Sequence, residues 1–598
     1  MTVLVEAQSV TISKQDTLCR ATYAGSIHSA SRDTKLKILL VSMIFVVSLL
    51  LQFLFREYDN NRLLSWQWTM SQESLFLILA ISISGLVVVY KSCFLHISKN
   101  KEILIVVAGS YIIGMASWSA PEVMVDSGRY FIHAKLIATH GIGYFLSEWG
   151  YGINAWTDLP LASIIYGTAF SLFGESRLAI QVINTFLFSG SVFLTYLVGK
   201  ELWDAKTGII AAVLLLAIPF LHVQASQMLV DVPAMFFAIA AILLSIIAVK
   251  KTGIGWVLLA SASIVFALLT KYSVWIALSS IVVLPFALKD CDRLEVAKRL
   301  LLISLVTAVL LVFVFYVHHP VILKQLKILL DYQLPALQRW QESYTSTFLY
   351  QAHPFVSLAA IASLYFAVKK KETIYIIPAA ALCVMLVMGV YRARYLLIVY
   401  PMLALVAAYG FRQLEDKFLQ RFIVRSAVVV SLAVTFVASM NFLQHHYSAV
   451  NLKDAGRYLN TIEQANVAVI VLPQPQTAVN PAVVLPLLDY YSDKKFHRVG
   501  GVAIPNPIDE RSQRTSPLRF TWEVKQHVYP NIKYEEVIPA PVLVLLSSDS
   551  EKQLPDSVAG ILNHYVLDER FSVTDDVFRF QSVVTVYRHK ANVQDSTL

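Results

Sequence analysis

Charge is what this chain has least of. Only 15% of its 598 residues are Asp, Glu, Lys or Arg, where a soluble protein carries about a quarter. With 57% hydrophobic residues and a mean hydropathy of +0.60, an ordinary water-soluble globule is excluded. Cysteine is scarce as well: Cys19, Cys93, Cys291 and Cys383 are scattered, with no CxxC pair. That excludes a disulfide framework and a cysteine zinc site. The N-terminus is polar for roughly 35 residues and lacks the basic-then-apolar pattern and cleavage site of a signal peptide. Neither a tandem repeat nor a low-complexity tract appears.

What is present is a series of apolar runs. A hydrocarbon core needs roughly 18 to 20 apolar residues per helix, and such windows recur down to residue 443. The expected spans are 38–55, 74–92, 103–119, 177–198, 207–223, 228–249, 254–270, 272–288, 299–318, 355–369, 374–391, 395–410 and 423–443. This is a polytopic α-helical membrane protein with thirteen expected helices. The net charge of +9 then reports topology, not nucleic-acid affinity, because Lys and Arg gather in alternate short loops. That bias puts residues 1–37 in the cytoplasm as a tail, and residues 120–176, 319–354 and 450–598 outside. After residue 450 short β-branched runs, "NVAVIVLP" and "APVLVLLSS", alternate with polar helical stretches. They read as a soluble extracytoplasmic α/β domain.

The first long outside loop carries the chemistry. "SWSAPEVMVDSGRYFIHAKLIATHG" (117–141) places Asp126, Arg129 and Tyr130 just after a span. In a helix starting near Asp126, Arg129 and Tyr130 fall one turn on, on the same face. "WTDLPLASIIYGTAFSLFGESR" (156–177) brings a second acid, Asp158, ahead of an apolar stretch too short to span and suited to the interface. Either aspartate alone reads equally well as a helix N-cap, since Asp is a preferred cap and Pro160 suits a first turn. Arg129 alone would more often be a solvated or lipid-phosphate contact. Lys271 lies between two apolar runs where a charge is expensive. Its plain alternative is snorkelling to the interface.

The motif D-S-G-R-Y (126–130) resembles the D-E-x-R-Y signature of GT-C glycosyltransferases. The branch is that of dolichyl-phosphate-mannose protein mannosyltransferases and the lipid A aminoarabinose transferase. "TDLPL" (157–161), the run 172–219, "SQMLVDVPAMFF" (226–237), "LLTKYSVW" (268–275) and "RARYLLIVYPMLALVAAYG" (392–410) continue the likeness over roughly 103–443. Two positions depart from it, Ser127 at the second acid and Leu159 at the following basic residue, and spans 38–55 and 74–92 are extra. The resemblance implies a GT-C transmembrane catalytic domain (103–449), which two additional N-terminal helices and a loop (38–102) precede and the α/β domain (450–598) follows.

It also implies a function: transfer of a sugar from a dolichyl- or undecaprenyl-phosphate donor to a hydroxyl acceptor, with inversion, on the extracytoplasmic face. Asp126 is then the base and Asp158 the second catalytic carboxylate. Arg129, Lys271, Arg392, Arg394 and His353 (in "QAHPF") receive the donor phosphate, while Tyr130 and Asp231 line the site. No metal or organic cofactor is called for; two acids make a poor cage, though they leave room for a divalent cation. The expected partners are the lipid-linked sugar, a glycan, lipid or protein acceptor and membrane lipids, without nucleic acid. The expected location is the cytoplasmic membrane, or the endoplasmic reticulum in a eukaryote. The rival from another class is a transporter or flippase of a lipid-linked sugar. Such proteins tend to put polar residues at the bilayer midplane, whereas here they gather at one face.

Overall fold

The computed structural model describes residues 32–56, 75–94, 101–123, 125–333, 343–472, 479, 481–499, 528–533, 537, 540–548, 554–575 and 582–594. The expected cytoplasmic tail up to residue 31, Cys19 and residues 334–342 of the second long loop lie outside them.

Each of the thirteen apolar segments is helical, several with breaks. Among the described residues, seven helices are long and apolar enough to cross a membrane. They are Arg32–Leu54, Leu75–Ser92, Arg177–Leu202, Asp231–Lys250, Arg293–Asp331, Ala393–Arg412 and Lys417–His445. Others, such as Ile254–Leu268 and Tyr272–Ala287, are apolar but shorter. Burial sorts them. The most apolar window of Ala393–Arg412 is 94% buried and that of Arg293–Asp331 only 17%, so the first is the centre of the bundle and the second its periphery.

The bundle has two chemically different ends. At one, Lys250 donates to the Glu201 carbonyl (2.6 Å), Lys370 to Gln413 (2.6 Å), and Arg412 pairs with Asp204 (2.8 Å). At the other end of the same helices stand Asp231 and Arg394. The basic loops and the acidic–basic site are therefore separated by the length of a helix.

One expected boundary moves. The span ending at 318 continues as a helix to Ile328, through Pro320. Pro usually breaks a helix by removing a hydrogen bond; here burial of Val321 and Ile322 against Trp149, Ile153 and Leu159 holds the next turns in place. Part of the second long loop is thus a helix packed on the first.

Among the described residues the C-terminal region forms a six-stranded sheet of order β3-β2-β1-β4-β6-β5. The strands are β1 (Asn466–Val471), β2 (Lys495–Val499), β3 (Asn531–Ile532), β4 (Val542–Ser547), β5 (Tyr565–Phe571) and β6 (Val583–His589). The pairs among β3, β2, β1 and β4 are parallel, and β6 runs antiparallel to β4 and β5. All six residues of β4 are buried, which explains why "VLVLLS" is a continuous apolar run and not an alternating one. Parallel β1 and β2 need a crossover, and helix Val484–Tyr490 lies within it. That crossover helix docks on helix Asp126–Glu148: the Phe131 and Tyr490 rings lie 5.2 Å apart. Gly128 permits the approach, since a Cβ there would sit 3.2 Å from the Val483 carbonyl oxygen.

Candidate active site

Helix Asp126–Glu148 starts at the carboxylate itself, with Val125 in the capping position and no side-chain cap. The next helix, Pro160–Phe173, is capped by Leu159, again without a side-chain bond. Neither Asp126 nor Asp158 therefore fills the cap position. Both carboxylates face cations.

The side chains form one chain of alternating sign. Lys271 Nζ lies 2.5 Å from Asp231 Oδ1, and Asp231 Oδ2 is 2.7 Å from Arg394 Nε. Arg394 Nη1 donates directly to Asp126 Oδ2. Asp126 Oδ1 is 3.4 Å from Arg129 Nη2, whose Nε lies 2.5 Å from Asp158 Oδ2. The Tyr130 hydroxyl closes the series by donating to Asp158 Oδ1 at 2.9 Å. Arg392 and Lys271 both lie near the Tyr395 ring, at 5.6 and 4.8 Å from its centroid. Lys271 thus points into the bundle toward Asp231 instead of snorkelling out. His353 is differently employed: its Nδ1 accepts the Phe355 N–H as the cap of helix Pro354–Lys370, and its ring lies 6.2 Å from Phe45. That ring nitrogen is thus committed to the helix cap.

Exposure peaks within the chain. The Asp231 side chain is fully buried, Arg394 is 9% exposed, Asp126 is 23% exposed and Asp158 12%. Asp126 is therefore the most accessible of the three carboxylates. Burial pushes the Asp126 carboxyl up, but the Arg394 and Arg129 guanidiniums outweigh it and hold the group well below the usual carboxylate range. Burial likewise lowers Arg129, and Asp158 and Asp126 more than reverse this. Charges buried this way gain little stability over an apolar core; they mark functional sites far more often.

Several supporting residues escape a reading of the sequence. Gln325, on the extended helix, donates to the Asp158 carbonyl (2.8 Å) and accepts from the Tyr272 hydroxyl (2.7 Å). Trp156 adopts a left-handed backbone (φ 50°) that brings its ring within 5.9 Å of the Arg129 guanidinium. That is cation–π range, and a bulky residue there is a genuine outlier. Glu122 is buried beneath Ser127. An acid inside the otherwise apolar "APEVMV" is the only signal the sequence offers for it.

Residues 158–318 match the family model described as dolichyl-phosphate-mannose-protein mannosyltransferase. The fold is similar to that of ArnT from Cupriavidus metallidurans bound to undecaprenyl phosphate. The TM-score is 0.51 at 14% identity, over 82% of this chain and 98% of that one. The chain has the GT-C glycosyltransferase fold. It is a multi-pass membrane protein. A second GT-C structure, the archaeal oligosaccharyltransferase AglB from Archaeoglobus fulgidus with an inhibitory peptide and a dolichol-phosphate, matches at TM-score 0.47 and 12% identity. It covers 79% of this chain and 73% of its own. No curated protein matches the sequence. The family-model match includes Asp158, Asp231 and Lys271 but not Asp126, Arg129 or Arg394. Those three meet the matched residues in the ion chain.

Proposed function

We propose that this GT-C protein is an inverting glycosyltransferase that moves a sugar from a polyprenyl-phosphate donor to an acceptor hydroxyl on the extracytoplasmic face. The observation that carries this reading is the ion chain from Lys271 to Asp158, most accessible at a carboxylate. Three carboxylates there meet Lys271, Arg394 and Arg129, with Arg392 alongside. A lipid phosphate is the anion that such a cluster of cations would welcome. Arg394 would grip it in a fork and Lys271 would add a point charge. ArnT, similar in fold, is bound to undecaprenyl phosphate, which supports the same ligand class here.

The same geometry supplies the base. In the free protein Arg394 and Arg129 hold Asp126 ionised but weakly basic. Phosphate drawing Arg394 toward itself would relax that hold and raise the proton affinity of Asp126 as the donor arrives. The acceptor hydroxyl would then lose its proton to Asp126 while attacking the anomeric carbon. The leaving phosphate would take its charge onto Lys271 and Arg394. Asp158, fixed by Arg129, Tyr130 and Gln325, would orient the acceptor. Among the described residues no group of three or more His, Cys, Asp or Glu is placed to hold a metal ion.

The pH profile tests this coupling. Because the free-protein Asp126 is held below the usual carboxylate range, kcat/KM is expected to show no acid limb from it above about pH 4. The acid limb of kcat, which reports the donor complex, is expected at higher pH than any in kcat/KM. The reverse order would remove Arg394 as the coupling element.

Orientation has its own test. Cysteines placed at Ser147 and Ser548 are expected to react with an impermeant thiol reagent in intact cells, and labelling of neither would invert the topology. Ser147 is exposed and Ser548 half-buried.

A further inference from the structure

The residue next to Asp126 and the turn before Asp231 are held by one carboxylate that the reaction itself does not use. Glu122 is 1% exposed. Its Oε2 accepts from the Ser127 hydroxyl and from the Met228 backbone N–H, each at 2.9 Å. Its Oε1 lies 3.5 Å from Arg177 Nη2, and its own N–H donates to the Tyr491 hydroxyl of the C-terminal domain at 2.5 Å. Arg177 also donates to the Trp118 and Ala120 carbonyls, at 3.0 and 2.6 Å. The Gln227 amide pairs with the Val123 N–H and the Pro121 carbonyl, at 2.7 and 3.0 Å. Residues 117–123 are therefore tied down along their backbone, and Glu122 is the member that reaches both acids' neighbourhoods.

We infer that Glu122 is a positioning residue, bridging Ser127 and Met228 so that Asp126 and Asp231 grip Arg394 from two sides at a set separation. The inference rests on the reading of Asp126 and Arg394 given above. The two aspartates arrive from elements far apart in sequence, and Asp126 starts a helix whose preceding residues are irregular backbone. Without a cross-link, the spacing between their carboxylates would depend on that loop. A buried carboxylate accepting a backbone N–H and a hydroxyl is a stiff link, because its oxygens lose their water and must keep these donors. Burial pushes the Glu122 carboxyl up, while Arg177 and the Met228 N–H favour the ionised form.

A misplaced aspartate should slow the chemical step more than it weakens phosphate binding, since geometry near the reacting atoms governs the first. The test compares Ser127→Ala, Glu122→Gln and the double variant with wild type, measuring kcat, donor KM and thermal midpoint. Asp126→Asn serves as the control for the site. Ser127→Ala removes one bond while Glu122 keeps Arg177 and the Met228 N–H, so it is the variant expected to fold normally. Expected are kcat about tenfold lower for each single variant, donor KM within about twofold, and a double variant no worse than Glu122→Gln alone, the mark of a shared link. Unchanged kcat in folded Ser127→Ala and Glu122→Gln, beside an inactive Asp126→Asn, would reduce Glu122 to a structural buried pair. So would losses that track thermal midpoint alone. A fully active Asp126→Asn would instead overturn the reading of the site on which the inference stands.

Discussion

Replacing Asp126 with asparagine is expected to cut sugar transfer by about 10²-fold or more, the usual contribution of a general base, while folded protein still accumulates. The second half follows from the ion chain. Arg394 keeps Asp231 at 2.7 Å and Arg129 keeps Asp158 at 2.5 Å, so neither guanidinium is left without a carboxylate. Asparagine matches aspartate in size and cannot take a proton at neutral pH. Activity and stability should therefore separate at this position, as they would not at a packing residue. Turnover near the wild-type rate in a folded Asp126→Asn protein would leave the carboxylate a purely electrostatic partner of Arg394.

Donor use should fall most at Arg394 and Lys271. Each charge-assisted contact to a phosphate is worth roughly 1.5 to 3 kcal/mol, and about 1.4 kcal/mol is tenfold. Lys271→Ala is therefore expected to raise donor KM by about one to two decades. Arg394→Ala should do at least as much and also cost some stability, because it leaves Asp231 with Lys271 alone and Asp126 with Arg129 alone. Arg394→Lys keeps the charge and separates the two effects. It should fold and recover only part of the donor affinity, since an ammonium cannot make the two parallel bonds of a guanidinium. Donor dependence unchanged in both Lys271→Ala and Arg394→Lys would remove the phosphate from this end of the chain.

Hydropathy alone announces the helices, because a bilayer imposes a length that composition reveals. Their ends are less legible. The helix through Pro320 continues because Val321 and Ile322 find partners on the other loop, a tertiary fact with no local signal. In the site, Asp126 and Arg129 can be paired from their spacing and Lys271 singled out by its cost. Asp231 reads from sequence as lining the site, and it proves to be the most buried link, bound to Lys271 and Arg394 together. Arg394 and Asp126 are 268 positions apart, a contact no periodicity could announce. Glu122 escapes notice because one acid in a loop ordinarily faces water. In the sheet domain the short apolar runs are visible, but the reversal of β6 beside β4 is not, since strand direction depends on connections and not on composition.

In the proposed reaction the ion chain cleaves a lipid-linked sugar instead of carrying it. The most direct measurement supplies the purified protein, reconstituted in lipid vesicles, with polyprenyl-phosphate sugars labelled in the sugar, together with a panel of hydroxyl acceptors. Free polyprenyl phosphate and labelled acceptor are then followed in parallel for wild type and Asp126→Asn. The account predicts that both products appear together, in equal amounts, with wild type and are nearly lost with the variant. Intact lipid-linked sugar reaching the opposite leaflet, with no polyprenyl phosphate released by wild type from any donor, would contradict it.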